Sequence, residues 1–168
     1  MSIVNSPPGK GYTLLIRWGS NLKSFALLVI RVGFGFMLYQ TGLGKLQNVD
    51  RAAANFQSWG VPFPHLSVYV ASSTELVGGI LLILGLATRL ISIPLIFNFC
   101  VAYLTASRDE VKGLVSDPSH FYSHFSDVAN DAAFPFLAVS LLLLAVGPGR
   151  VSVDALLKRI LVGKNAPP

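Results

Sequence analysis

The sequence predicts an all-α membrane protein: a bundle of four transmembrane helices with short interfacial helices at the N-terminus, in the first outer loop and at the C-terminus. Three observations carry this prediction. Only 12% of the residues are charged while 52% are hydrophobic, too apolar for an ordinary soluble domain. Several windows of about 20 residues are nearly free of charge, the length that crosses roughly 30 Å of hydrocarbon at about 1.5 Å per residue. Within those windows apolar residues recur with helical rather than alternating spacing, and a helix satisfies its own backbone polar groups where there is no water to do so.

The four expected spans are Ser24 to Gly44, Leu66 to Leu86, Leu90 to Ser107 and Asn130 to Gly147. They divide the chain into an N-terminal interfacial segment at 1–23, a transmembrane domain at 24–147 and an amphipathic tail at 148–168. The first segment carries Trp18, Arg17 and Lys23, which suit a headgroup layer, and lacks the basic start followed directly by an apolar core that marks a cleaved signal. The first span is therefore expected to be an uncleaved anchor.

Positive charge sorts by loop. Lys10, Arg17, Lys23, Arg89, Arg150, Lys158, Arg159 and Lys164 fall on one side, and Lys45, Arg51, Arg108 and Lys112 on the other. This asymmetry predicts both termini in the cytoplasm of a bacterial inner membrane. The net charge of +5 is then an orientation signal, with the lipid bilayer as partner and no need of nucleic acid.

The connections follow from local chemistry. "QNVDRAAANFQSWGVPFPHL" is Ala-rich and helical up to Trp59, then stops at Gly60, Pro62 and Pro64, with Phe56 and Trp59 as interfacial anchors. "GLATR" is so short that the second and third spans must form a tight antiparallel hairpin, and Pro94 falls in the first turns of the third helix, where a missing N–H costs least. Asp117 followed by Pro118 reads as a helix start, from which one long rod would run into the fourth span. "GPGR" then ends that helix, and "VSVDALLKRILVGK" makes a basic amphipathic tail suited to anionic headgroups.

Charged groups in hydrocarbon are costly and mark candidate sites. Here they are Arg31, Glu75 and, nearer the outer surface, Lys45. Glu75 shares its helix face with Ala71, Ser72, Gly78 and Gly79, small residues that admit a neighbouring helix closely. By depth alone Arg31 is the expected partner of Glu75. Such a pair is either a clasp between two helices or a polar centre that binds a quinone carbonyl or passes a proton. Tyr39 and Gln40, with Thr41, stand near the same pocket, and Asn98 lies at mid-depth of the third span.

In the outer segment His120, His124, Asp127 and Asp131 recur at helical spacing on one face, a donor set able to share a divalent transition metal. The same face is equally the solvated side of an amphipathic helix backed by Phe121, Phe125 and Val128. Cys100 is the single cysteine, so internal dithiol exchange is excluded and a redox role needs a bound carrier or a partner. No phosphate-cradling glycine loop or nucleophile elbow is present, which removes nucleotide-driven and hydrolase readings.

Arg31 with "GFGFMLYQTGLGKL", then "ELVGGILLILGLATRL", then "GPGRVSVDALL" together resemble the DoxX family of small four-helix bacterial membrane proteins, from about Phe25 to Leu157. The resemblance implies a four-helix membrane domain, in some members a subunit of a quinone-reducing oxidoreductase such as thiosulfate:quinone oxidoreductase, in others an accessory subunit. It implies recurrent polar positions at Arg31, Lys45, Glu75, Arg89 and Arg150. Two departures stand out: Thr41 where many members have His, and Asn130 with Asp131 where an acid opens the fourth span. Three functions are thus expected in competition: a redox-associated subunit binding a quinone-like carrier, a non-catalytic subunit of a larger membrane or redox complex, and a metal-handling or carrier protein. Whether the chain itself turns over a substrate is left open by the sequence.

Overall fold

The structure is a computed structural model that describes residues 7–116 and 118–162, with side chains over 22–116 and 119–161, and all its regular structure among those residues is helical. The chain is a membrane bundle. Helices α1 (Pro7–Gln47), α3 (Pro64–Leu84) and α4 (Thr88–Thr105) are each long and apolar enough to cross a bilayer, α1 through its part Leu22–Gln47. Helix α1 packs along α3, α3 turns into α4, and α4 packs along α7 (Ala133–Val146). Leu27, Leu38, Leu82, Leu95, Phe99 and Leu143 form the buried core between them. Phe136 of α7 joins the row to α1, stacking on Phe99 at 5.2 Å and meeting Phe34 edge-on at 5.7 Å.

Two expectations about the ends are corrected. The N-terminal segment is not a separate interfacial helix, because Pro7–Gln47 is one continuous helix of 41 residues. No proline interrupts it after Pro8, and Gly19, the only glycine between Tyr12 and Val32, costs only about 1 kcal/mol in a helix interior. Residues 1–6 lie outside the described residues.

The long rod expected from Asp117 into the fourth span is also replaced, and Asp117 itself lies outside the described residues. After α5 (Arg108–Ser116) comes a 3-10 turn at Pro118–His120, then α6 (Phe121–Asn130), and α6 meets α7 at an angle of 82°. Helix α7 has 14 residues, about 21 Å at the usual helical rise and short of the roughly 30 Å of hydrocarbon. A fourth crossing therefore exists only if the bent pair α6 and α7 is counted as one span. Asp131 makes the bend: its Oδ1 accepts the backbone N–H of Ala133 at 2.6 Å, and its Oδ2 accepts the hydroxyl of Ser107. A carboxylate that takes a backbone N–H of the next helix competes with continuation of the one before it.

The remaining connections match the sequence. Helix α2 (Val49–Ser58) ends before Gly60, whose φ of 74° suits glycine, and buries Ala53 against α3. The α3–α4 turn has only three residues between helices, closed by Gly85 with φ 68° and the N–H of Leu86 on the carbonyl of Leu81. Helix α8 (Val153–Val162) is the amphipathic tail, started by Ser152, whose Oγ accepts the N–H of Ala155 at 3.1 Å.

Candidate functional site

The site begins with how closely α1 and α3 approach. A methyl group added at Gly79 would lie 2.5 Å from the carbonyl oxygen of Gly35, and one at Gly42 would lie 2.7 Å from the carbonyl oxygen of Ser72. Only glycine fits at these contacts, and they fix the antiparallel register of the two helices. In that register Glu75 is level with Gln40 and Thr41. Arg31 lies roughly nine to ten residues, about 14 Å, toward one end, and Lys45 roughly four to five residues, about 7 Å, toward the other.

Side chains on a helix lean toward its own N-terminus. Because α1 and α3 are antiparallel, Lys45 and Glu75 lean toward each other, whereas Arg31 and Glu75 lean apart. Glu75 accordingly pairs with Lys45, whose Nζ lies 2.5 and 2.7 Å from the two carboxylate oxygens. The expected pair with Arg31 is not formed, because the register already sets Arg31 farther from Glu75 than Lys45 is, and the lean widens that difference. Asn98 of α4 completes the group, donating its Nδ2 to Glu75 Oε1 at 3.1 Å. An ammonium, a carboxylate and an amide from three helices thus meet inside the bundle.

Burial is unequal within this group. The Glu75 side chain is 4% exposed and that of Lys45 is 32% exposed. The carboxylate is enclosed, and the ammonium is the member that reaches the outside. An ammonium has three donors, and two go to Glu75. Of the other predicted neighbours, Tyr39 is half-buried at the contact with Gly79, Thr41 returns its hydroxyl to the Leu38 carbonyl at 3.0 Å, and Gln40 is exposed on another face of α1.

Arg31 belongs to a second polar cluster at the opposite end of the spans. Nearly fully buried, it donates to the carbonyl oxygens of Pro148 at 2.6 Å and Val151 at 2.8 Å, in the link between α7 and α8. Gly85 is required here twice over: its φ is positive, and a methyl group would lie 2.6 Å from the Arg31 guanidinium. Arg89 donates to the Ala145 carbonyl at 3.2 Å.

Asp154, which sequence reasoning missed, closes this cluster. It accepts the backbone N–H groups of Ala87 at 2.7 Å and Thr88 at 3.0 Å, while its own N–H donates to the Gly85 carbonyl at 3.0 Å. One carboxylate thereby serves the N-terminus of α4 from within the first turn of α8, where negative charge is favoured by both helices. A signal was available: Asp154 is the one acid in a tail that is otherwise basic.

The outer His and Asp residues do not converge. His120 is in the 3-10 turn, His124 packs against Gly113 of α5, and Asp131 faces Ser107 and Ala133. Among the described residues no three His, Cys, Asp or Glu side chains lie close enough to hold a metal ion. The spacing assumed one helix through all four, and that helix breaks on either side of α6.

Comparison with known proteins bears on the same helices. The DoxX family model matches residues 26–108, just under half of the chain, from within α1 to the start of α5. That stretch is similar to the DoxX domain. The domain contains Arg31, Lys45, Glu75, Asn98 and Arg89, whereas the "GPGRVSVDALL" stretch lies beyond the match. CatD of Bacillus subtilis (strain 168) is 34% identical over 85 residues, 49% of this chain and 62% of that protein, so the match spans less than two thirds of that relative. The inner membrane protein YphA of Escherichia coli (strain K12) is 26% identical over 129 residues, 76% of this chain and 87% of YphA. No solved structure matches the chain.

Proposed function

We propose that this protein is a redox-associated membrane subunit that binds a quinone-like, lipid-soluble carrier at Lys45, Glu75 and Asn98. The observation that carries the reading is the partly exposed ammonium held against an enclosed carboxylate at a junction of three helices in an apolar bundle. The third N–H of Lys45 is suited to a carbonyl oxygen, and Glu75 holds the ammonium in place. Reduction of a quinone takes two electrons and two protons. The electrons would come from a partner or donor, and the ammonium–carboxylate pair is placed to relay a proton. The word oxidoreductase in the name of CatD supports the same class. The loop charges and the likeness to YphA support an inner membrane location, and the loop charges support both termini in the cytoplasm.

The test is titration of the purified protein with a short-chain quinone, then reduction assays with candidate donors, comparing wild type with Glu75→Gln. The expected result is binding roughly tenfold weaker in the variant, the size of one lost charge-assisted hydrogen bond. Equal binding and equal rates would end the proposal.

A second reading, a non-catalytic subunit docked on a larger complex, is favoured by the outward face of α1. Gly33 and Gly44 there have no neighbour within 4 Å, and Gln40 lies exposed between them. Small residues around an amide make a helix-packing stripe. Copurification in mild detergent separates the readings: a chain that always emerges alone contradicts docking.

A further inference from the structure

A cleft of about 600 Å³ opens at the end of the spans occupied by Arg31, between the α3–α4 turn, the link after α7 and the start of α8. Ala87, Leu90 and Val146 give it apolar walls, and Arg89 and Lys158 bring two cations to it. Asp154 also borders the cleft, but both its oxygens are taken by the N–H groups of Ala87 and Thr88. The carbonyl of Pro148 is likewise taken by Arg31. The polar groups native to the walls are therefore satisfied, and the two cations are left over.

Arg89 spends one N–H on the Ala145 carbonyl, and neither Arg89 nor Lys158 has a carboxylate within 4 Å among the described residues. An arginine and a lysine with no carboxylate in contact, two cations to one acid beside an apolar wall at the first turn of a membrane span, match an anion that carries hydrocarbon. We infer that this cleft binds an anionic phospholipid, its phosphate between Arg89 and Lys158 and its acyl chain along Leu90. The depth agrees, because Arg89 stands at the start of α4, where the headgroup layer meets the hydrocarbon. The apolar face of α8 agrees too: Leu156, Leu157, Ile160 and Leu161 are exposed, as in a helix lying in the membrane surface. The inference does not depend on the quinone reading, whose residues lie toward the other end of the bundle.

The test is native mass spectrometry of the detergent-solubilised chain with phosphatidylglycerol, with phosphatidylcholine of the same acyl chains, and with inorganic phosphate as competitor. One phosphatidylglycerol per chain is expected, bound more tightly than phosphatidylcholine and not displaced by millimolar phosphate. Lys158→Gln, which removes a side chain with no protein partner, is expected to weaken binding about fivefold, and Arg89→Gln by at least as much. Lys112→Gln, at the other end and beside Asp109, is expected to leave binding unchanged. Equal binding of the two lipids, or wild-type binding by Lys158→Gln, overturns the proposal. Displacement by phosphate alone reassigns the cleft to a soluble anion and overturns the lipid assignment as well.

Discussion

Arg31 and Lys45 lie on the same helix, yet their charges are met by different kinds of partner. Arg31 is enclosed, and its Nη1 and Nη2 donate to backbone carbonyls of the α7–α8 link, while its Nε has no hydrogen-bond partner. Lys45 is one-third exposed and its donors end on another titratable side chain, Glu75. A guanidinium with a fixed fork of donors suits a cluster whose purpose is to hold two chain segments together. An ammonium is a compact charge on a flexible stem, and paired with a carboxylate it can exchange a proton or a hydrogen bond with a visitor. The first cluster reads as architecture and the second as a place where something binds.

Variants can break or sharpen that contrast. The largest effect is expected at Arg31→Met, which leaves the Pro148 and Val151 carbonyls without their donor and unties the α7–α8 link from α1. Chemical denaturation in mild detergent should show a loss of roughly 3 kcal/mol or more. A quinone-binding defect without such a loss would mean that Arg31 is part of a binding site. Next is Glu75→Leu alone, which leaves Lys45 unpaired; a loss of about 2 kcal/mol is expected, below the range for breaking a fully buried pair because Lys45 is part-exposed.

The double variant Lys45→Met with Glu75→Leu sharpens the contrast most. Replacing both members by apolar groups should recover most of the single variant's stability while quinone binding stays lost. Recovery of both would make the pair a clasp only. Asp154→Asn keeps the cap's shape and removes its charge, so about 1 kcal/mol is expected, read by the same denaturation. Asn98→Leu should be smallest, about 0.6 kcal/mol, the mean worth of an interhelical hydrogen bond in a membrane. Its effect on quinone affinity should exceed its effect on stability if Asn98 orients Glu75.

Much of the fold was legible in the sequence because its signals are local. Apolar runs of span length gave α1, α3 and α4, the short "GLATR" gave the hairpin, and the Ala-rich stretch before Gly60 gave α2. The polar candidates Lys45, Glu75 and Asn98 were legible as well, since charge and amide groups are conspicuous in an apolar span. The bend at Asp131 was less so: the same residue can open one helix or sit inside another, and Ser107, distant in sequence, holds it to the first role.

By itself, then, the sequence determined that this chain is a helical membrane bundle with a carboxylate inside it. Which cation that carboxylate meets was decided by the tertiary structure. The glycine contacts between α1 and α3 set the register, and the opposite leans of side chains on antiparallel helices brought Lys45 to Glu75 and sent Arg31 to the far end. Neither quantity is a property of a single segment. Asp154 shows the same limit, for a carboxylate that looks like an ordinary tail residue acquires its purpose only when the N-terminus of α4 is folded against it.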